Sequence, residues 1–88
     1  MYMDKEVLQL QIFLDRSKIR LDVLRKLSEG EQVAVFLAKQ MKKHRSSISR
    51  ALGELREKGL VECENPEEFS YRTYKITEKG RMLLKNFK

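Results

Sequence analysis

The 88-residue chain is long enough for one small domain, and its core is too modest for a large enclosed active site. Hydrophobic residues make up 41% and charged residues 36%, which is typical of a folded, helix-rich protein rather than a disordered one. Lys and Arg number 19 against 13 Asp and Glu, giving a net charge of +6. This excess favours polyanionic partners, with nucleic acid first and an anionic membrane surface second.

The N-terminal segment and the cysteine content indicate a cytoplasmic location. Cys63 is the single cysteine, so an intrachain disulfide is excluded, as suits a reducing compartment. The first residues lack both the basic start and the uninterrupted apolar run of a signal peptide. No stretch approaches the roughly 20 apolar residues of a membrane span. We therefore expect no membrane association.

The first predicted helix lies in DKEVLQLQIFLDR. Val7, Leu10 and Leu14 form one apolar stripe, and Leu8 and Ile12 lie beside it. The resulting face is wide for a small domain to cover.

The second predicted helix lies in SKIRLDVLRKLSEG. Ser17 is a suitable N-cap, and Gly30 marks the end of the helix. The residues that share its apolar face are Ile19, Val23, Leu24 and Leu27.

The remaining chain predicts two more helices, a β-hairpin and a final helix. A short extended piece near residues 32–33 precedes a helix ending near Met41, and the next helix spans residues 45–58 with Gly59 after it. LVECEN and YRTYKI alternate as strands around a turn containing Pro66. That alternation places Tyr71 and Tyr74 on opposite sides, so one of them should lie on the surface. Thr77 is the predicted N-cap of the final helix, which carries Met82, Leu83 and Phe87.

The helix at residues 45–58 separates an apolar edge from a basic front. Its apolar stripe consists of Ile48, Ala51, Leu52 and Leu55. At about 100° per residue, the opposite side contains Ser46, Arg50, Gly53 and Glu57, flanked by Ser47, Ser49 and Glu54. No Asp or Glu occurs between Gln32 and Gly53, whereas the same window contains Lys39, Lys42, Lys43, Arg45 and Arg50.

This charge pattern suits binding of the DNA major groove, which is about 12 Å wide. Arg50 can donate paired hydrogen bonds to guanine, and the short Ser46 and Ser49 side chains allow close approach. Residues 42–45 lie where backbone N–H groups and the helix dipole attract phosphate. The residues predicted to contact DNA are Lys42, Lys43, His44, Arg45, Ser46, Ser47, Ser49, Arg50 and Arg72.

Each of these features also has an ordinary structural explanation. Serines near a helix start are often caps, and a basic turn is often a solvated loop. Gly53 costs the helix roughly 1 kcal/mol relative to alanine and is also consistent with a tolerated weakness. Only the combination of charge segregation, apolar stripe, glycine stop and hairpin favours nucleic-acid binding.

SSISRALGELREKGLVE followed by YKITEKG resembles a winged helix-turn-helix transcription regulator of the MarR/ArsR-like class, in its short prokaryotic and archaeal form. The resemblance implies one mostly α domain, residues 1–88, with a three-helix core, a small β-hairpin and extra terminal helices. It implies a recognition helix at 45–58, a wing at 60–76 and homodimer contacts from residues 1–16 and 77–88. The implied partner is double-stranded DNA carrying a palindromic operator.

Three departures from this family pattern concern the turn and the wing. Lys42 and Lys43 occupy the places of a glycine and an apolar residue, and a left-handed Lys42 would be strained. His44 stands where a serine or threonine cap is common. The wing tip contains Glu64, Glu67 and Glu68, which leaves Arg72 as its clear cationic contact.

Catalysis and metal binding find no support in the sequence. His44 is the only histidine and Cys63 the only cysteine, which is too few for a structural zinc site with about four ligands. We expect no enzyme activity and no cofactor, and we expect Cys63 to be a small buried hydrophobic residue. The sequence does not identify a small-molecule effector.

Two alternatives to a DNA-binding regulator stay open. The acidic wing favours a winged-helix protein–protein interaction module without specific DNA binding. A role with RNA would suit the positive charge, although the sequence lacks an aromatic platform of the RNA-binding kind.

Overall fold

The computed structural model describes residues 5–87, which form five helices and three short strands. The elements are α1 (Lys5–Asp15), α2 (Lys18–Ser28), β1 (Gln32–Val33), α3 (Ala34–Met41), α4 (Arg45–Glu57), β2 (Val61–Cys63), β3 (Thr73–Ile76) and α5 (Glu78–Lys85). Residues 1–4 and 88 of the predicted terminal helices lie outside the described residues. Within residues 5–87, no helix has the length and apolar character needed to cross a membrane.

The three strands form one antiparallel sheet in the order β1-β3-β2. Val61 pairs with Ile76 across β2 and β3, as the predicted hairpin requires. The prediction of a two-stranded hairpin alone was incomplete, because the extended piece at residues 32–33 pairs with the free edge of β3. Tyr74 is buried and Tyr71 is exposed, which confirms that the two tyrosines face opposite sides.

The helix ends follow local side-chain chemistry closely. The Ser17 hydroxyl accepts a hydrogen bond from the Arg20 backbone N–H at 3.3 Å, as its predicted N-cap role requires. The Thr77 hydroxyl accepts from the Gly80 N–H at 3.1 Å and also donates to the Gly59 carbonyl at 2.7 Å. Thr77 therefore starts α5 and fastens it to the end of α4.

Gly59 and Gly80 are required where α4, β2 and α5 meet. Gly59 has a φ of 76°, a left-handed conformation that ends α4 one residue earlier than predicted, after Glu57. A Cβ atom added to Gly80 would overlap the Leu60 carbonyl oxygen and the Ile76 side chain. The glycine of the TEKG motif thus lets α5 approach the chain that leaves α4.

One hydrophobic core holds the helices against the sheet. The predicted stripe of α4 is buried, and so are most apolar residues of the α2 face and the Leu10–Leu14 edge of α1. Their combined removal from water is the main favourable term in folding. Three core helices, a small sheet and two outer helices make up a winged helix-turn-helix fold, as predicted. The fold leaves Leu8 and Ile12 about half exposed.

Candidate nucleic-acid interface

The front of α4 faces solvent over its first half. Ile48, at the centre of the opposite edge, is fully buried, whereas the Arg50 side chain is 83% exposed. Ser46, Ser47 and Ser49 are exposed as well. This orientation is the predicted one, and it leaves the guanidinium group of Arg50 accessible to a large ligand.

The turn before α4 and the first residue of α4 present four exposed polar residues, Lys42 to Arg45. Lys42 has φ 57° and ψ 44°, the left-handed conformation anticipated for this position. Two bonds close the end of α3: the Lys42 N–H donates to the Lys39 carbonyl, and the Lys43 N–H donates to the Ala38 carbonyl. The strain at Lys42 is therefore held in place by a helix-ending motif that normally favours glycine.

His44 occupies the N-cap position of α4 without capping it. Its backbone is extended, with φ −65° and ψ 145°, and its side chain makes no cap hydrogen bond. The first turn of α4 contains no acidic residue either. Because these N–H groups carry the positive end of the helix dipole, the start of α4 favours an anion.

Arg72 holds the wing loop together. Its Nε atom donates to the Glu68 carbonyl at 2.8 Å, and its Nη2 atom donates to the Pro66 carbonyl at 3.2 Å. Asn65 adds a second clamp, because its Oδ1 atom accepts from the Thr73 N–H at 2.8 Å. A contact between Arg72 and DNA stays a prediction. It would need the guanidinium N–H groups that do not donate to these two carbonyls.

Carboxylates give the base of the wing an acidic character. A hydrogen bond with Glu64, together with the charge of Glu64, raises the pKa of Glu31 above its ordinary value. Lys75 offsets part of this repulsion, since its Nζ atom lies 3.8 Å from Glu64 Oε1. Glu67 and Glu68 are exposed at the tip. The wing therefore meets an approaching phosphate with mostly negative charge.

A cleft of about 270 Å³ separates α4 from the wing. It brings together four of the predicted contact residues, Arg45, Ser46, Ser49 and Arg72. Its remaining lining consists of Ala34, Val35, Phe69, Ser70 and Tyr74. We call this the wing cleft.

A second cleft, of about 350 Å³, lies on the other side of α4. We call it the α2 cleft, and it is lined by Arg16, Ser17, Ile19, Arg20, Ser47, Arg50, Ala51 and Glu54. It contains the predicted residues Ser47 and Arg50. Arg16 and Arg20 were not predicted, although the segment 16–21 contains three cations and no acid.

The wing also presents an exposed aromatic group that was not among the predicted contact residues. Phe69 is 97% exposed at the tip, and the rings of Phe36 and Tyr71 approach with their centroids 6.2 Å apart. The sequence feature that could have predicted this exposure is that Phe69 is an isolated apolar residue within a polar turn. Such a residue is available for an intermolecular contact.

Cys63 is half-buried rather than fully buried, so the sequence prediction was only partly right. Its Sγ atom lies 3.7 Å from Asn65 Oδ1, within reach of a weak hydrogen bond. Across residues 5–87, no group of three or more His, Cys, Asp or Glu side chains is arranged to hold a metal ion.

Comparison with solved structures shows the same fold in another protein. Two structures of a double mutant of ZitR from Lactococcus lactis, one of them in apo form, each align with a TM-score of 0.70. Sequence identity is 20% and 19%, over 78% and 86% of this chain and over 48% and 58% of the ZitR chains. The chain thus spans about half the length of these relatives.

The sequence of the chain matches one family model. A comparison with curated proteins gives no match. The family model described as the HVO_A0261 N-terminal domain matches residues 10–88, which is most of the chain. The protein therefore belongs to the HVO_A0261 N-terminal domain family.

Proposed function

We propose that the protein is a sequence-specific, double-stranded DNA-binding transcription regulator with α4 as its recognition helix. Winged-helix folds serve several purposes, so the fold alone does not carry this proposal. The observation that carries it is the polarity of α4: Ile48 is fully buried on one edge, and the Arg50 side chain is 83% exposed on the other. An exposed arginine on a helix that fits the major groove is the side chain best suited to reading guanine.

The charges around α4 support DNA rather than an uncharged partner. Lys42, Lys43 and Arg45 are exposed at its start, where its backbone also favours anions. Phosphate contacts of this kind position a protein on the duplex, whereas base contacts supply specificity. In the proposed complex the turn binds the backbone and Arg50 reads a base.

The proposal includes a homodimer of the MarR/ArsR-like kind. Leu8 and Ile12 on α1 and Met82 on α5 are large apolar side chains exposed on neighbouring outer helices. These residues support a dimer interface because they lie on the two helices that the family resemblance assigns to it. A two-fold arrangement would place the two recognition helices about 34 Å apart, one turn of DNA.

The proposal is tested by selecting duplex DNA from a random library with the purified protein at two salt concentrations. We expect enrichment of a palindromic motif, and we expect binding to fall steeply as salt increases. Recovery of no shared motif, or binding that does not respond to salt, would contradict the proposal.

The acidic wing favours one second candidate, a protein-interaction module. Phe69 is 97% exposed beside Glu67 and Glu68, a combination that suits a basic protein surface with an apolar pocket. This candidate predicts weak duplex binding at every salt concentration, so the same selection distinguishes the two.

A further inference from the structure

We propose that the α2 cleft, rather than the wing, supplies the main additional contact with the DNA backbone, and that Arg16 is its phosphate ligand. This inference rests on the proposed function, because it concerns the same complex. It assigns a DNA-binding role to the corner between α1 and α2, where the resemblance implies only dimer contacts, from residues 1–16.

Helix α4 lies between the two clefts and contributes residues to both. The wing cleft contains Arg45, Ser46 and Ser49, and the α2 cleft contains Ser47 and Arg50. An α-helix is about 10 Å across and the major groove about 12 Å wide, so a helix in the groove has a phosphate strand on each side. Elements on both sides of α4 are therefore near the backbone.

The elements beside α4 contribute different charges to the two clefts, although the net charge of the two linings is equal. In the α2 cleft two arginines come from outside α4, and the carboxylate in its lining, Glu54, belongs to α4 itself. In the wing cleft Arg45 belongs to α4, so the wing contributes only Arg72, two of whose nitrogen atoms already donate to wing carbonyls. Glu67 and Glu68 are exposed on the same wing. Because a phosphate is repelled by carboxylates and held by unpaired cations, the α2 cleft is the more favourable of the two sides.

Within the α2 cleft, two of the three arginines are already engaged by Glu54. The Nε atoms of Arg20 and Arg50 each lie 3.6 Å from one of its oxygen atoms. Arg20 is further held over the Phe13 ring, with Cζ 4.0 Å from the centroid, and only 18% of its side chain is exposed. Arg20 thus partly neutralises the one carboxylate in the cleft.

Arg16 is the arginine available to a ligand. It is exposed, and no carboxylate of residues 5–87 lies within ion-pair distance of it. Its backbone N–H closes the end of α1 by donating to the Ile12 carbonyl at 3.0 Å, so its position is fixed while its guanidinium group stays accessible. An Arg–phosphate contact is short and charge-assisted, and it can be bidentate.

The test measures duplex affinity of the whole chain across a salt series. Arg16→Ala and Arg16→Gln should weaken binding to the selected duplex and to a random duplex by the same factor. Each should also reduce the slope of log K against log salt by about 1. Arg16→Lys should keep the slope, because a cation remains. Lys26→Ala, which removes one positive charge from the last turn of α2 and lines neither cleft, is the matched control.

Two outcomes would overturn the inference, and they differ in what they say about the proposed function. If the wild-type chain binds duplex with a steep salt dependence and both neutral Arg16 variants behave like Lys26→Ala, the cleft has no backbone contact and the function stands. If the wild-type chain shows no salt-dependent duplex binding, both proposals fail. Circular dichroism of each variant checks that the fold is retained.

Discussion

The Nε atom of Arg50 lies 3.6 Å from the Oε2 atom of Glu54, one turn further along α4. The other carboxylate oxygen of Glu54 lies 3.6 Å from the Nε atom of Arg20 on α2. An exposed pair of this spacing contributes only about 0.3–0.5 kcal/mol, which is too little to withhold Arg50 from DNA. It is enough to bias the direction of a long side chain, so Glu54 orients the proposed base-reading residue.

Replacing Glu54 with glutamine should change specificity more than affinity. Glu54→Gln removes a negative charge beside the backbone, so binding to random duplex should become several-fold tighter at low salt. It also frees Arg50 from its ion pair, so the ratio of operator to random affinity should fall. Competitive titration with the two duplexes measures both effects.

Glu57→Gln is the matched control for this experiment. Glu57 is exposed on the same outward side of α4, and no ion pair to Arg50 involves it among residues 5–87. It should raise affinity for both duplexes without lowering their ratio. Identical ratios for the two variants would show that Glu54 acts through charge alone.

Replacing Arg50 and replacing Lys43 should weaken DNA binding in two different ways. Arg50→Ala should lower discrimination by about 1–3 kcal/mol at one position of the operator, because a base contact is lost. Lys43→Ala should weaken binding to all sequences alike and reduce the salt slope by about 1, because a phosphate contact is lost. Titration of both variants against operator and random duplex makes the comparison, and equal behaviour would contradict these assignments.

The parts of the fold that the sequence predicted correctly depend on short-range rules. The buried stripe of α4 follows from a 3.6-residue period, and the caps at Ser17 and Thr77 depend on a donor three residues away. The left-handed Lys42 was anticipated from one position in a turn. Such features are encoded within about one or two helical turns.

The features that were missed depend on residues far apart in the chain. The extended piece at residues 32–33 was predicted, but its pairing with β3 was not, because its partners lie about forty residues later in the chain. The α2 cleft forms where α2 packs against α4, and the sequence pattern of either helix alone does not predict that contact. The hydrogen bonds by which Arg72 holds the wing loop were not predicted for a different reason. Their acceptors are backbone carbonyls, which every residue has, so the sequence does not show which ones are used.

Replacing Lys42 with glycine should separate stability from DNA binding. A lysine at φ 57° carries a strain of about 1 kcal/mol that glycine avoids. The variant should melt several degrees higher, since about 1 kcal/mol shifts the Tm of a small domain by about 4–8 °C. Its DNA affinity should fall because a cation is lost. Lys43→Gly, at a residue without positive φ, should not raise the Tm, and a rise there would contradict the assignment of strain to Lys42.

The Glu31–Glu64 pair should make stability fall as pH rises from acid toward neutral. The pKa of Glu31 is raised in the folded chain above its ordinary value of 4.5, so the folded state binds the proton more tightly than the unfolded state. The stabilisation from this group is complete below pH 4.5 and is lost as pH passes the raised pKa. Glu31→Gln should flatten this part of the profile, measured by urea unfolding at a series of pH values. Glu67→Gln at the wing tip should keep the wild-type slope, and a matching loss of slope there would exclude the pair as its source.

Ile12 provides the test of the dimer. Its side chain is 46% exposed and lies beside Leu8 in a cleft that α1 shares with the end of α5. Ile12→Asp places a charge on this apolar surface without entering the core, so the variant should stay folded, although it loses the stabilisation that association gives. Sedimentation equilibrium should show a dimer for the wild type and a monomer for the variant.

The monomeric variant should also lose affinity for a two-site operator. Two linked recognition helices bind more tightly than one because the second binding event is intramolecular, an advantage of about 100-fold or more when the geometry allows it. Ile12→Asp should therefore bind a palindromic operator about as weakly as a single half-site, whereas Gln9→Asp, on an exposed position of the same helix, should keep the difference. A wild-type chain that is monomeric, or that binds one and two half-sites equally, would exclude α1 as a dimer helix.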